Sequence, residues 1–328
     1  MLNRFIMPKI KKKVLIFDSK TFPKSFIRTI KKITSFNIVV IKTNDKKNFF
    51  KEVLDTNILI NCPRNFFNED LIKKFKKMEW VHTAAAGIEA YLTPSFVKSK
   101  ILFTNGKILQ GPEVADHAVS LLLSLTRNIK FHILKYKLKS VKRPIELLKK
   151  KLLIVGYGGI GSCICERLSG FGMRIDVASE DFPVLNSKVE NFFQINKLIS
   201  IAKNYDVIIS AAPLTRITHK IFSKQFFSSM KKNSIFINVS RGKLVDTKAL
   251  SNNKILDKFW GVGLDVTDPE PLPANHHLRK KNNIIITDHT AGLSDHNRKR
   301  AYDLIITNLK RYSNNEKLFN IVDKTAGY

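Results

Sequence analysis

The stretch Lys151-Leu-Leu-Ile-Val-Gly-Tyr-Gly-Gly-Ile-Gly161 decides how the rest of this 328-residue chain is read. Residues 151–155 form an apolar run of the kind found in parallel strands covered on both faces. The glycines that follow, Gly156, Gly158 and Gly161, have the G-x-G-x-x-G spacing and open a helical pattern that runs to Leu168. In such a strand–turn–helix the first glycine permits the tight turn and the second lets a pyrophosphate approach the backbone. The third lets helix and strand pack closely, with phosphate charge at the helix N-terminus. A dinucleotide is therefore expected here, with its pyrophosphate against the backbone at Gly158.

Working outward, apolar segments alternate with helical patterns on both sides. Val14–Phe17, Ile38–Ile41, Ile58–Asn61 and Trp80–Thr83 read as strands in the first hundred residues. After the glycine motif come 174–178, 207–211, 235–239, 261–266 and 284–287, which with the first strand make six. Six parallel strands with intervening helices fit a doubly wound dinucleotide domain. Between Pro112 and Arg127 the apolar positions Ala115, Ala118, Val119, Leu122 and Leu125 recur at helical spacing, and a second helix is expected after Ser294, with Ile305 and Leu309 on its stripe. The fold class is α/β in two Rossmann-like lobes. Residues 106–292 are expected to form the dinucleotide-binding domain, and 1–105 with 293–328 a smaller flavodoxin-like one. The two joints predict a cleft that closes by hinge motion.

Composition excludes several classes. The apolar fraction is 44%, ordinary for a folded chain, and no run of apolar residues is long enough to span a bilayer. Three cysteines, Cys62, Cys163 and Cys165, make neither a disulfide framework nor a zinc site, so no metal is expected and a reducing, cytoplasmic compartment is. No secretion signal is read in Met1–Lys13, and Met7 offers a second start. The oddest number is the charge: 57 Lys+Arg against 27 Asp+Glu, net +30. A nucleic-acid footprint would be concentrated and rich in arginine. Here the excess is spread, at +13, +7 and +10 over residues 1–100, 101–200 and 201–328, and 44 of the 57 cations are lysine. Compositional drift explains that better than nucleic acid. One segment resists: Arg127–Lys151 holds ten basic residues and a single acid, Glu146. It reads either as a solvated face beside a domain joint or as a polyanion site.

Four further blocks follow the glycine motif: Pro213–Thr218, Asn238-Val-Ser-Arg241-Gly through Asp246, Leu264-Asp265 through Glu270 and Pro273, and Thr287-Asp-His289-Thr-Ala-Gly292. With Trp80–Ile88 and Val114-Ala-Asp-His117, they closely resemble the D-isomer-specific 2-hydroxyacid dehydrogenases over nearly the whole chain. The resemblance implies a catalytic triad of Arg241, Glu270 and His289. Histidine titrates near neutrality and suits the proton exchanged with the C2 oxygen. Glu270 would orient that imidazole, and the planar fork of Arg241 would hold the substrate carboxylate and polarise its carbonyl. The same resemblance implies a nicotinamide cofactor, held by 106–292 as the NAD(P)-binding domain while 1–105 with 293–328 bind substrate. It places Tyr157, Gly158, Gly159 and Ile160 at the cofactor's phosphates, Ser179 at the ribose and Thr218, Val239, Asp265 and Gly292 around the nicotinamide half. Backbone N–H groups at Ala85, Ala86 and Gly87 would cradle the carboxylate, while His82 and His117 read as packing residues.

Two departures stand out. The second strand of the nucleotide unit ends at Ser179 where an acid is usual, but Glu180 and Asp181 follow and would repel a 2′-phosphate, so NAD is expected, with NADP left open. Asp288 precedes His289 where relatives carry proline, and the lost fixed φ is expected to loosen that loop. The implied activity is reduction of a small 2-oxo acid, glyoxylate or hydroxypyruvate first, by a homodimer. The alternative from another class is a dinucleotide-sensing binding protein on the same fold, because the C-terminal-binding corepressors also resemble these enzymes.

Overall fold

In the computed structural model, residues 11–18, 23–42, 45–134, 142–181 and 187–328 are described. Met7 and residues 135–141 of the basic segment lie outside them. The chain divides into two units, with breaks between Lys107 and Ile108 and between Asn297 and Arg298.

The first unit carries five parallel strands: β1 (Lys13–Asp18), β2 (Asn37–Lys42), β3 (Ile58–Ile60), β4 (Trp80–His82) and β5 (Leu102–Thr104), in the order β2-β1-β3-β4-β5. This is the flavodoxin-like order. Side chains alternate across the sheet, so β1 sends Val14 and Ile16 to one face and Leu15 and Phe17 to the other. The first face is covered by Phe26 and Ile30 of the helix Lys24–Ile33 and by Ile305 and Leu309 of the helix Asn297–Ser313. The chain's last long helix thus completes the unit that its N-terminus began. The second face is packed by Phe49, Leu71 and Phe96. The three-residue β5 has no sequence signature of its own.

His82 lies in this core, 1% exposed. The hydroxyl of Thr104 accepts from the Trp80 indole at 2.8 Å, so its own proton is left for Nδ1 of His82, also at 2.8 Å. Nε2 has no partner among the described residues, and burial holds the imidazole neutral by pushing its pKa down to about 3. The unfolded chain protonates this group near pH 6.5 and the folded chain does not. Its stabilising contribution is therefore complete above about 6.5 and declines as pH falls toward 3, by up to about 1.4 kcal/mol per pH unit. Urea unfolding of wild type and His82→Phe from pH 7 to pH 4 should show a shallower acid loss in the variant. Parallel curves would remove His82 from the acid limb.

The second unit carries seven parallel strands: β6 (Lys151–Val155), β7 (Arg174–Ser179), β8 (Val189–Gln194), β9 (Val207–Ser210), β10 (Ile235–Asn238), β11 (Gly261–Leu264) and β12 (Ile284–Ile286). Their order is β12-β11-β10-β9-β6-β7-β8. From β6 the chain steps outward to β7 and β8, then crosses back to β9 and runs the other way. The carboxyl ends of β6 and β9 flank that switch point, where doubly wound sheets bind their ligands. The sequence reading of six strands is corrected to seven. β8 has no apolar signature because it is an edge strand with no buried residue and three exposed polar ones, Glu190, Asn191 and Gln194.

Two helices cover one face of this sheet. Gly111–Thr126 starts with Pro112 in its first turn, where the missing N–H is not needed. It buries Ala115, Ala118, Leu122 and Leu125 with Leu152, Ile154, Ile209 and Ile237. The helix Gly159–Ser169 adds Ile164, Cys165 and Leu168 to the same cluster. The opposite face is rich in phenylalanine, with Phe222, Phe226, Phe227, Phe236 and Phe259 packed edge to face.

Candidate active site

The glycine loop occupies the carboxyl end of β6. Gly156 has φ +91, and a Cβ there would meet the Ala212 backbone at 2.5 Å, so both its conformation and the approach of the loop after β9 require glycine. Gly158 differs. A Cβ there would meet nothing within 4 Å, and the residue is exposed immediately before an eleven-residue helix whose N-terminus no side chain caps. The first-turn N–H groups of Gly159, Ile160 and Gly161 thus have no side-chain cap beside the open space at Gly158, an arrangement suited to a diphosphate. The fit to a dinucleotide is good on this count. Tyr157 is buried beneath the loop. Ser179 closes β7, half-buried, followed by half-buried Glu180 and exposed Asp181.

Arg241, Glu270 and His289 follow the carboxyl ends of β10, β11 and β12, three consecutive strands of the sheet. A side-chain network prepares the first of them. The Asn238 carboxamide donates to the Arg241 carbonyl at 2.9 Å and accepts from the Ser240 hydroxyl at 2.8 Å and the Ser240 N–H at 3.1 Å. The Ser240 hydroxyl also meets that of Ser210 at 2.7 Å, tying the ends of β9 and β10 together. A Cβ on Gly242 would lie 1.9 Å from the Thr267 carbonyl oxygen. Only glycine lets the Arg241 turn seat against the loop that carries Glu270.

His289 Nδ1 lies 2.7 Å from Glu270 Oε1, with the two side chains 51% and 39% exposed. A carboxylate only accepts, so Nδ1 carries the proton in this pair and Nε2 is the ring atom available for proton exchange. The residue's φ is +53, uncommon for a non-glycine. What holds it there is Asp265, 1% exposed. Its carbonyl accepts from His289 N–H at 2.9 Å. One carboxylate oxygen accepts from Thr287 Oγ1 at 2.6 Å and Thr290 N–H at 3.0 Å, and the other from Ala291 N–H at 3.1 Å. His117 reaches this hub as well, with Nε2 2.9 Å from Thr287 Oγ1 and 3.3 Å from Asp265 Oδ1. The bonds to Asp265 fix the loop that Asp288, lacking a proline's φ, was expected to loosen.

The other expected contacts fall as follows. Val239 is buried at the end of β10. Thr218 is 1% exposed, and its hydroxyl is engaged within its own turn, donating to Pro213 O at 2.6 Å and accepting from Thr215 N–H at 2.8 Å. Gly292 O accepts from Asn297 Nδ2 at 2.8 Å, which anchors the end of the His289 loop. Ala85, Ala86 and Gly87 belong to the first unit and follow β4. Ala85 N–H contacts Thr83 Oγ1 at 3.3 Å, and Asn105 Nδ2 donates to Ala86 O at 2.8 Å. The N–H groups of Ala86 and Gly87 have no acceptor among the described residues, so of the three expected donors these two are free for a carboxylate.

A family model for the NAD-binding domain of D-isomer specific 2-hydroxyacid dehydrogenases matches residues 119–291. An uncharacterized protein from the proB 3′ region of Corynebacterium melassecola is 31% identical over 262 residues, covering 77% of this chain and 84% of the relative. A glyoxylate reductase of Korarchaeum cryptofilum is 29% identical over 293 residues, covering 85% and 86%. The crystal structure of a D-isomer specific 2-hydroxyacid dehydrogenase family protein from Aeromonas salmonicida superposes with a TM-score of 0.79 at 25% identity, covering 96% of this chain and all of that one. The chain belongs to the D-isomer specific 2-hydroxyacid dehydrogenases. It is an oxidoreductase of the nicotinamide-dependent kind, and none of its described helices is long and apolar enough to cross a membrane.

Proposed function

We propose that this protein reduces small 2-oxo acids to D-2-hydroxy acids, with glyoxylate and hydroxypyruvate as first substrates and NADH as the preferred reductant. The observation that carries the reading is the His289–Glu270 pair on a loop stationed by buried Asp265, beside the Arg241 turn. Bound nicotinamide supplies the hydride for C2. Arg241 holds the carboxylate and draws charge toward the carbonyl oxygen, through a fork that lysine cannot copy. His289 delivers the proton to that oxygen from Nε2, while Glu270 fixes the ring through Nδ1. In the first unit, the N–H groups of Ala86 and Gly87 recognise the carboxylate, with Ala85 shaping the turn. Residues 1–105 with 293–328 act as the substrate-binding domain and 106–292 as the cofactor domain.

The phosphate-facing residues are Tyr157, Gly158, Gly159 and Ile160. Ser179, with Glu180, meets the ribose, and Thr218, Val239, Asp265 and Gly292 shape the nicotinamide end. A carboxylate beside the ribose accepts from its hydroxyls and repels a 2′-phosphate. A panel of 2-oxo acids assayed with each cofactor should therefore give kcat/KM at least about tenfold higher with NADH than with NADPH, a gap of about 1.4 kcal/mol. A preference for NADPH would overturn the cofactor assignment, and no turnover of any 2-oxo acid would overturn the reading itself. The protein acts as a homodimer in a reducing, cytoplasmic compartment. Supporting the dimer, Ile129, Ile133 and Leu134 stand exposed along a groove of about 430 Å³ beside the edge strand β12.

A further inference from the structure

The carboxyl ends of the second sheet carry the reaction, and the opposite ends of the same strands carry an unexplained concentration of charge. A groove of about 610 Å³ opens there, lined by Lys142, Arg143, Lys150, Lys231, Lys232 and Trp260, with Asp206 as its one carboxylate. Strand register places the groove. Leu152 pairs with Val207, Ile235 with Val207, and Ile235 with Gly261. The residues just before these positions (Lys151, Asp206, Ser234 and Trp260) therefore form a row along the amino edge. A four-residue strand spans about 13 Å, so these cations do not touch the reacting groups at the far end.

Charge balance there is one-sided. Asp206 accepts from Lys231 Nζ at 2.5 Å and from the Lys151 N–H at 2.9 Å. Its partial burial would raise its pKa, but the bonds from Lys231 and Lys151 and the charges of Lys231 and Lys150 outweigh that and hold the carboxyl below its usual range. It therefore stays ionised and offsets one cation. The other four, Lys142, Arg143, Lys150 and Lys232, pair with no carboxylate among the described residues. The backbone that presents them is pinned. Asn128 Nδ2 donates to Lys142 O at 2.7 Å, Ile145 N–H to Thr126 O at 2.9 Å, and Lys149 N–H to Gly172 O at 2.9 Å. The Lys142 ammonium sits 5.4 Å from the centre of the Trp260 ring, whose indole N–H is fixed on Leu125 O at 3.0 Å. Lys142, Arg143 and Lys232 are exposed and Lys150 half-buried, and like charges gathered along one groove repel one another, which an anion among them relieves.

We propose that this groove is a second ligand site that binds a polyphosphate chain, separate from the dinucleotide site at the other end of the sheet. Its volume is within the range of small-molecule sites. Four uncompensated cations match the charge of a chain of several phosphates better than that of a single carboxylate. Such a chain could be free or part of a nucleoside triphosphate, and the recognition chemistry is the same.

Trp260 supplies the readout, because the other tryptophan, Trp80, is wholly buried in the first unit. The full chain, with its cofactor site saturated with NAD, is titrated with sodium tripolyphosphate and separately with ATP, following tryptophan emission and, in parallel, calorimetric heat. The expected result is saturable binding at one site, absent with sodium chloride at matched ionic strength. Lys142→Gln/Lys232→Gln should weaken it at least about tenfold without lowering the thermal midpoint. Trp260→Phe should abolish the emission change and keep the heat. Equal affinity for both probes assigns the site to the phosphate chain, and tighter ATP binding adds the nucleoside. No saturable heat with either probe, or unchanged affinity in a folded double variant, would overturn the proposal.

Discussion

Replacing His289 with alanine is expected to lower kcat for 2-oxo acid reduction by about 10²- to 10⁴-fold, the range a positioned general acid supplies, while NADH affinity stays close to wild type. The asymmetry follows from placement. His289 is half-exposed at the tip of a loop whose conformation rests on Asp265, so truncating the imidazole removes a proton donor without unseating Thr287, Thr290 or Ala291. Glu270→Gln should cost less, because the amide oxygen can still accept from Nδ1 and hold the ring, though as a neutral and weaker acceptor. The double variant should fall short of the product of the two losses, since Glu270 acts through His289. Steady-state kinetics with a fluorescence titration of NADH checks each part. A His289→Ala enzyme within threefold of wild-type kcat would remove the residue from proton transfer.

The second large effect is expected at Arg241. Arg241→Lys preserves the charge and loses the planar fork, and kcat/KM should drop by about 10²- to 10³-fold, the scale of a lost electrostatic donor at a developing oxyanion. Stability should change little, because Asn238, Ser240 and Ser210 form their network with backbone and hydroxyl groups, and Asn238 holds only the Arg241 carbonyl. Alanine at the same position should be worse, chiefly in KM. A lysine variant with unchanged kcat/KM would place carboxylate recognition elsewhere.

How much of this could be read from the chain depended on how local each signal was. Strand β6 is apolar because both its faces are buried, and Gly156, Gly158 and Gly161 follow it in one short segment, so the fold class and the strand–turn–helix of a dinucleotide unit were legible together. Strand β8 was not, because an edge strand half-open to water keeps no apolar run, and β5 opens on an exposed leucine and closes on a threonine, unlike the all-apolar β3 and β12. The triad residues were legible as types in motifs. What positions them was not, because Asp265, His117 and Thr287 are brought together across 22 to 170 positions. His117 read as packing and Asp265 as a nicotinamide contact. The structure adds a further role for Asp265, whose two carboxylate oxygens both accept from the His289 loop. The net charge of +30, first weighed against nucleic acid, is for the most part spread surface lysine. A concentrated portion among the described residues includes Lys142, Arg143 and Lys150 of the basic segment, joined by Lys231 and Lys232 from about eighty to ninety positions away.

The most direct test of the central claim is the fate of the transferred hydrogen. Incubated with NADH deuterated at C4 of the nicotinamide and with hydroxypyruvate, the protein is predicted to yield D-glycerate labelled at C2, with His289→Ala yielding almost none. Cofactor binding without deuterium at C2, or label in the L-enantiomer, would contradict the account.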